Sequence, residues 1–194
     1  MSAMEATAGS VPAQAGPEAK RLGLFVFIGS EAVLFANLIA AYLYLRVRTG
    51  VWPPEGMPHL ELGFATVNTL ILILSGLPMQ LAHSGIQKGN ERRLVMGLIG
   101  TIVLGAIFIS GQAWEYVHAG FTPQSGVYGS TFFTLTGFHG AHVMVGLTLL
   151  TVSLVRALRG RFTVERHFGI EATALYWHFV DVVWVFLFAV LYLL

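Results

Sequence analysis

Five ionisable side chains lie inside long apolar stretches of the sequence, where a charge is costly. They are Glu31, His139, His142, His178 and Asp181. An ionisable group at the centre of a bilayer costs about 2.5 kcal/mol or more, so each of them needs a partner or a function. The two histidines at 139 and 142, and the pair at 178 and 181, are spaced i,i+3, which places each pair on one helix face. We therefore expect two helices each to present a polar pair that could meet inside a bundle.

Three kinds of chemistry are open to these histidines. A neutral imidazole can hydrogen-bond to Asp181, to hydroxyl groups or to backbone and so fasten helices together, and burial favours this neutral state. A metal or haem site is the second possibility, because imidazole is a suitable ligand, but a metal usually requires three or more protein ligands with further support around them. Third, the imidazoles can hold a lipid head group or tune a nearby proton route. We interpret them as hydrogen-bonding groups and keep the other two as alternatives.

Glu31 differs from the histidines because no cation lies near its level in its own apolar stretch. Desolvation should keep this carboxyl protonated and neutral unless water or a neighbouring helix reaches it. Two roles follow: the carboxyl donates one hydrogen bond between helices, or it influences proton uptake in an adjoining subunit. Glu115 and Glu171 lie near the ends of their apolar stretches, where a carboxylate can stay hydrated, so we expect both to be structural.

The composition excludes several classes of protein. Of the 194 residues, 55% are apolar and 11% charged, against about 25% charged in an ordinary soluble domain. The net charge is +1, without a run of lysine and arginine, which argues against binding to nucleic acid. The absence of cysteine excludes disulfides, thiolate zinc sites, iron–sulfur clusters and cysteine nucleophiles. The outside of this protein must face lipid.

The apolar residues form five runs that predict the elements positioning these groups. Each run is long enough to cross about 30 Å of hydrocarbon at about 1.5 Å per residue of helix. The predicted fold is all-α, a bundle of five transmembrane helices over residues 21–194, preceded by a mobile tail at residues 1–20. Pro78 lies inside the second run and predicts a kink there. The runs cover residues 22–45, 62–82, 94–117, 129–155 and 168–194.

The loops between these runs predict the orientation of the bundle. Only Arg46 and Arg48 fall on one side of the membrane. By the positive-inside rule the N-terminus is inside and the C-terminus outside. The other nine basic residues fall on the opposite, inner side: Lys20, Arg21, Lys88, Arg92, Arg93, Arg156, Arg159, Arg161 and Arg166.

Four stretches of the sequence resemble one family, subunit III of the haem–copper oxidases. The long third and fourth stretches, GVYGSTFFTLTGFHGAHV and HFGIEATALYWHFVDVVWVFLF, are the most specific. The resemblance covers residues 21–194 and is closest to a five-helix bacterial form, since mitochondrial-type members have two further helices at the start. The four stretches are Leu22 to Phe35, Trp52 to Pro54, Gly126 to Val143 and His167 to Phe188.

The resemblance implies a non-catalytic subunit of a proton-pumping oxidase that reduces O₂ to water. Such a subunit packs against subunit I, which holds the haems and copper, and itself contains no metal, haem or catalytic residue. Subunit II and a small subunit IV are further partners. The family pattern places a membrane carboxyl at Glu31, and the family's role implies that the chain stabilises subunit I, supports proton uptake and holds phospholipid in a cleft. The implied location is a bacterial plasma membrane, with the mitochondrial inner membrane as the alternative.

Other functions stay open at this point. Related subunits serve quinol oxidases and nitric oxide reductases, although Glu31 together with YWHFVDVVW from Tyr176 to Trp184 resembles the cytochrome c oxidase branch more closely. A free-standing proton or ion transporter could use the five buried ionisable groups as a relay, but the sequence has no internal repeat of the kind that many transporters show. A membrane metalloenzyme is a third class, which would need metal bound by the chain itself.

Overall fold

Five long helices make up most of the described part of the chain. The structure, a computed structural model, describes residues 16–194, and no strand occurs among them. Long apolar runs form helices because a backbone in hydrocarbon must satisfy its own hydrogen bonds. All five helices are long and apolar enough to cross a membrane, so the predicted all-α bundle of five spans is confirmed. The elements are α1 (Pro17–Thr49), α2 (Leu62–Gln87), α3 (Glu91–His118), α4 (Gly126–Leu158) and α5 (Phe168–Phe188), which continues into a π-helical turn (Ala189–Leu193).

The helices extend beyond the predicted apolar runs at several ends. The first begins with a proline in its first turn, where the missing N–H costs nothing. Residues 17–20, placed in the predicted tail, are therefore helical, and residues 1–15 of that tail lie outside the described residues. Gly89 and Gly160 adopt φ of 66° and 64° after the ends of α2 and α4, a conformation that glycine adopts without steric cost.

The closest pairing of helices is between α2 and α3, and α1 is the most peripheral element. Helices α2 to α5 pack on one another, whereas α1 packs mainly on α4 and α5. Across the most apolar part of each helix, half of the residues of α5 are buried but only 6% of those of α1. The bundle is thus a four-helix core with α1 laid against one side.

Glycine allows the close approach of α3 to α2 at Pro78. A Cβ atom at Gly97 would lie 2.5 Å from the Pro78 carbonyl oxygen, and one at Gly100 would lie 3.0 Å from the Pro78 Cβ. The α2 helix runs without interruption from Leu62 to Gln87 through this proline. The neighbouring helix therefore packs directly on the segment for which the sequence predicts a kink.

Two buried tryptophans on α5 fasten it to α2. The indole N–H of Trp177 donates to the Ser75 Oγ at 2.8 Å, and that of Trp184 donates to the Thr69 Oγ1 at 2.9 Å. Both rings are at most 1% exposed. A buried indole usually requires such a partner, so these two contacts set the rotation of α5 against α2.

Because the number of helices is odd, the two ends of the described chain lie at opposite ends of the bundle. The first residues of α1 share one end with the α2–α3 turn and the α4–α5 loop, the segments that contain nine of the eleven basic residues. Which end faces the cytoplasm stays a prediction from this charge distribution.

Candidate functional site

A hydrogen bond between Glu31 and His142 joins the middle of α1 to α4. The Glu31 Oε2 lies 3.0 Å from the His142 Nε2. The side chains of these residues are 20% and 16% exposed, so the pair lies at the edge of the bundle, not in its centre. The sequence shows no cation near Glu31 on α1 because its partner comes from another helix, 111 residues later.

The Nδ1 atom of His142 limits where hydrogen can lie in this pair. Its Nδ1 lies 2.7 Å from the Phe138 carbonyl oxygen. A carbonyl can only accept, so Nδ1 must carry hydrogen and donate. One proton then remains for the contact between Nε2 and the carboxyl: it lies either on Glu31, giving a neutral pair, or on His142, giving an ion pair.

His139, one turn before His142, is enclosed by aromatic rings. It is 0% exposed, and its ring centroid lies 4.7 Å from that of Trp184 and 5.9 Å from that of Phe108. Neither ring nitrogen has a hydrogen-bond partner among the described residues. The other predicted i,i+3 pair lies on α5, where the His178 Nδ1 and the Asp181 Oδ2 are 3.8 Å apart.

The two predicted i,i+3 pairs do not form one polar network. The pair on α5 faces α2, where a Cβ at Gly76 would lie 3.4 Å from the His178 ring and 3.5 Å from the Asp181 carboxyl. The Asp181 Oδ1 is buried without a partner. Within residues 16–194, no hydrogen bond joins this pair to His139 or His142, and the partner of His142 is Glu31. Each of these groups is therefore a separate feature of the bundle.

The prediction that Glu115 stays hydrated is wrong. This residue is only 7% exposed, and its carboxyl oxygens accept hydrogen bonds from the Tyr192 hydroxyl at 2.8 Å and the Gln112 Nε2 at 3.0 Å. The π-helical turn after α5 covers it, and the only signal in the sequence is the i,i+3 spacing of Gln112 and Glu115. Glu171 does reach water, since its side chain is 31% exposed and pairs with Arg21 at 3.1 Å.

Comparison with known proteins places the chain in a family. A family model described as cytochrome c oxidase subunit III matches residues 3–194. The chain belongs to that family. Relatives named cytochrome c oxidase subunit 3 include those of Scyliorhinus canicula and Cyprinus carpio, each 44% identical over 178 residues, or 89% of this chain and 68% of the relative. That of Pongo abelii is 43% identical over 189 residues, or 94% of this chain and 71% of the relative.

Membership confirms the resemblance carried by the four sequence stretches. As a cytochrome c oxidase subunit III, the chain is a multi-pass membrane protein and a component of a respiratory oxidase that has other subunits. Within residues 16–194, no three histidine, aspartate or glutamate side chains are grouped closely enough to hold a metal ion. The Glu31–His142 pair is a contact between α1 and α4 made by one hydrogen bond.

A second candidate site of this subunit III lies at the end of the bundle that contains most of the basic residues. A cavity of about 940 Å³ is bounded by the start of α1, the end of α4 and the α4–α5 loop. The Arg156 guanidinium packs 5.2 Å from the centroid of the Phe162 ring in its wall. Hydrogen bonds from its own backbone N–H and from Thr163 lower the pKa of the exposed Glu165 carboxyl, so that group is ionised at neutral pH. The charged or titratable residues of the wall are Lys20, Arg21, Arg156, Glu165, Arg166, His167 and Glu171.

Proposed function

We propose that this subunit III packs against subunit I of a proton-pumping cytochrome c oxidase, stabilises it during turnover and supports its proton uptake. The haems and copper belong to the partner subunits, and this chain contributes no redox centre. Subunit II and a small subunit IV complete the proposed complex, which lies in a bacterial plasma membrane. The observation that supports this role most directly is the Glu31–His142 pair.

The geometry of this pair suits proton transfer better than pure packing. One proton is shared across 3.0 Å between two groups on different helices. Both side chains are partly exposed at the surface of the bundle, so a neighbouring subunit can reach them. A carboxyl in the same place that served only to join helices would gain from complete burial, which would protect its hydrogen bond from competition. Partial exposure keeps the proton exchangeable.

The basic cavity supports the proposed role in holding lipid. Four cationic side chains surround it, from the start of α1 (Lys20 and Arg21), the end of α4 (Arg156) and the α4–α5 loop (Arg166). Arginine and lysine bind phosphate oxygens through charge-assisted hydrogen bonds. The cavity lies at the end of the helices, where the phosphate group of a lipid would be, and its chains could run along α1. A phospholipid bound there would link the peripheral α1 helix to α4 and α5.

Purification in mild detergent tests the proposed function. A tagged chain isolated from its own membrane should bring with it a haem-bearing subunit I in equal amount. The preparation should consume O₂ with reduced cytochrome c as donor. A chain that purifies alone and carries protons or ions across vesicles would contradict the proposal. Copurification with haem subunits that oxidise only quinol, or reduce nitric oxide, would place it in a related oxidase or reductase instead.

A further inference from the structure

One face of α1 consists of exposed residues that repeat with the spacing of a helix-packing seam. The steps along this face alternate between four and three residues, which is the heptad pattern of two helices packed side by side. Phe35 and Tyr42 lie on the opposite face and are each 2% exposed. The buried and the exposed faces of α1 are therefore distinct. We call this exposed face the α1 seam: Val26, Ser30, Val33, Asn37, Ala40 and Tyr44, all of them exposed.

Asn37 is the member of the α1 seam that requires a partner. It lies fifteen residues beyond Leu22, about 22 Å along the helix, and so at a depth where the surroundings are hydrocarbon. Its amide forms no hydrogen bond with any described residue. By contrast, the amide of Asn68 on α2 is buried and donates to the Phe108 carbonyl at 3.1 Å. An amide without a partner in hydrocarbon is unfavourable because neither its donors nor its acceptor are satisfied.

We infer that the α1 seam is the docking surface for a transmembrane helix of another polypeptide, which presents a hydrogen-bonding side chain to Asn37. Ser30 and Ala40 are small and let a second backbone approach closely. The alternating spacing predicts a left-handed crossing at an angle of about 20°. A single polar residue at a seam position fixes the register of the two helices. The occupant is thus an apolar helix with Ser, Thr, Asn or Gln at the depth of Asn37.

Lipid alone does not suit this surface, because acyl chains contain no group that can hydrogen-bond to the amide. The described part of the chain does not cover it either, since α1 packs on α4 and α5 through its other face.

A second copy of the chain fits less well than a different helix. The α1 seam borders a groove of about 480 Å³ that also includes Leu34, Leu38 and, from α4, Phe138. Two copies related by a two-fold axis would set seam against seam and leave this groove empty on each side. One separate helix can lie against Ser30, Val33 and Asn37 and fill the groove at the same time. The inference rests on the proposed membership of a larger membrane complex and adds the surface at which one partner helix docks.

Photo-cross-linking in the native membrane tests the inference. A photoreactive residue replaces Val33 on the seam, 61% exposed, or Val182 on α5 as a matched control, 55% exposed. We expect the probe at 33 to capture a peptide from an apolar stretch of about 20 residues that contains Ser, Thr, Asn or Gln, identified by mass spectrometry. The control should capture lipid or a different polypeptide. Lipid adducts alone at 33, or a second copy of this chain, would overturn the inference.

Replacement of the amide tests the same contact without a probe. Asn37→Leu keeps the approximate size and removes the hydrogen-bonding groups, and should weaken retention of the captured polypeptide about three- to tenfold. The yield of folded chain should not change, because the Asn37 amide bonds to no residue in the described range 16–194. Thr151→Val is the control, since its hydroxyl is exposed and bonds only to the Leu147 carbonyl of its own helix. Equal retention in the two variants would mean that Asn37 makes no contact with a partner helix.

Discussion

At the residue scale, the proposed proton role rests on the contact between Glu31 and His142. The Phe138 carbonyl orients the imidazole, so that its Nε2 edge faces the Glu31 carboxyl. Glu115 provides the contrast, because it is also a carboxyl inside a span but is enclosed by Tyr192 and Gln112. The two glutamates therefore differ in access and not in residue type.

Substitution of Glu31 separates a proton role from a packing role. Glu31→Gln keeps the size and a hydrogen-bond donor but cannot exchange a proton, so we expect normal assembly with lower proton uptake and pumping by the oxidase. Glu31→Ala should in addition weaken the contact between α1 and α4. Pumping by reconstituted vesicles and recovery of subunit I measure the two effects.

The control for this prediction is Glu115→Gln, which should leave pumping unchanged, because the new amide oxygen can accept from Gln112 while the new NH₂ donates to the Tyr192 hydroxyl oxygen. An apolar carbodiimide, which reacts with protonated carboxyl groups, should label Glu31 faster than Glu115, since Glu31 is reachable from the surface of the bundle. Normal pumping in the Glu31→Gln oxidase would leave Glu31 as a residue that only joins helices.

At the element scale, glycines decide how closely the helices approach. Gly97 admits the Pro78 carbonyl of α2, and Gly105 and Gly146 border the Trp177 ring, where added Cβ atoms would lie 2.6 and 2.8 Å from its atoms. The ring therefore lies between α3 and α4 while its N–H bonds to α2. Three helices meet at this one side chain of α5, which explains why α5 is the most buried span.

Gly97→Ala should destabilise the bundle by about 1–3 kcal/mol, because the new methyl group would overlap the Pro78 carbonyl and force α2 and α3 apart. Gly29→Ala is the matched control. A Cβ at Gly29 meets nothing within 4 Å, so this variant should be equally stable or more stable by up to about 1 kcal/mol, from helix propensity alone. Unfolding in mixed detergent micelles measures both. Equal stabilities would mean that the helices can separate here at little cost.

The sequence predicts these elements well and their contacts poorly. Length and hydropathy predict each span within a few residues, because a segment that crosses hydrocarbon must be apolar and helical over a known distance. The partner of Glu31 could not be predicted, because periodicity along one helix does not say which face of α4 meets α1. The burial of Glu115 depends on where the turn after α5 places Tyr192, which no local pattern specifies.

At the scale of the whole molecule, the order of the helices places most of the basic residues at one end of the bundle. The described chain crosses five times, and the segments that contain nine basic residues lie together at one end. The opposite end contains the Arg46 guanidinium, which bonds to the Tyr42 hydroxyl and to the Val190 and Leu194 carbonyls at the end of α5. This arginine joins the end of α1 to the end of the chain's last helical turn and, with Arg48, is one of the two basic residues on its side.

We therefore expect the α2–α3 turn to face the cytoplasm and the C-terminal end to face outside. Alkaline phosphatase, which is active only outside the cytoplasm, should be active when fused after Leu194 and inactive when fused after Lys88. Green fluorescent protein fused at the same two positions should give the reverse pattern. A phosphatase that is active after Lys88 would overturn the orientation.

The long separation between Glu31 and His142 also affects how the protein is made. Their hydrogen bond spans 111 residues, and at about 5–20 residues per second a ribosome needs roughly 6 to 20 seconds to supply the second partner after the first. During that interval α1 enters the membrane with a carboxyl that has no imidazole beside it. The nascent helix must then be neutral or be sheltered by the insertion machinery. Correct docking of α1 is therefore a late step of biosynthesis, although α1 is made before the helices on which it packs.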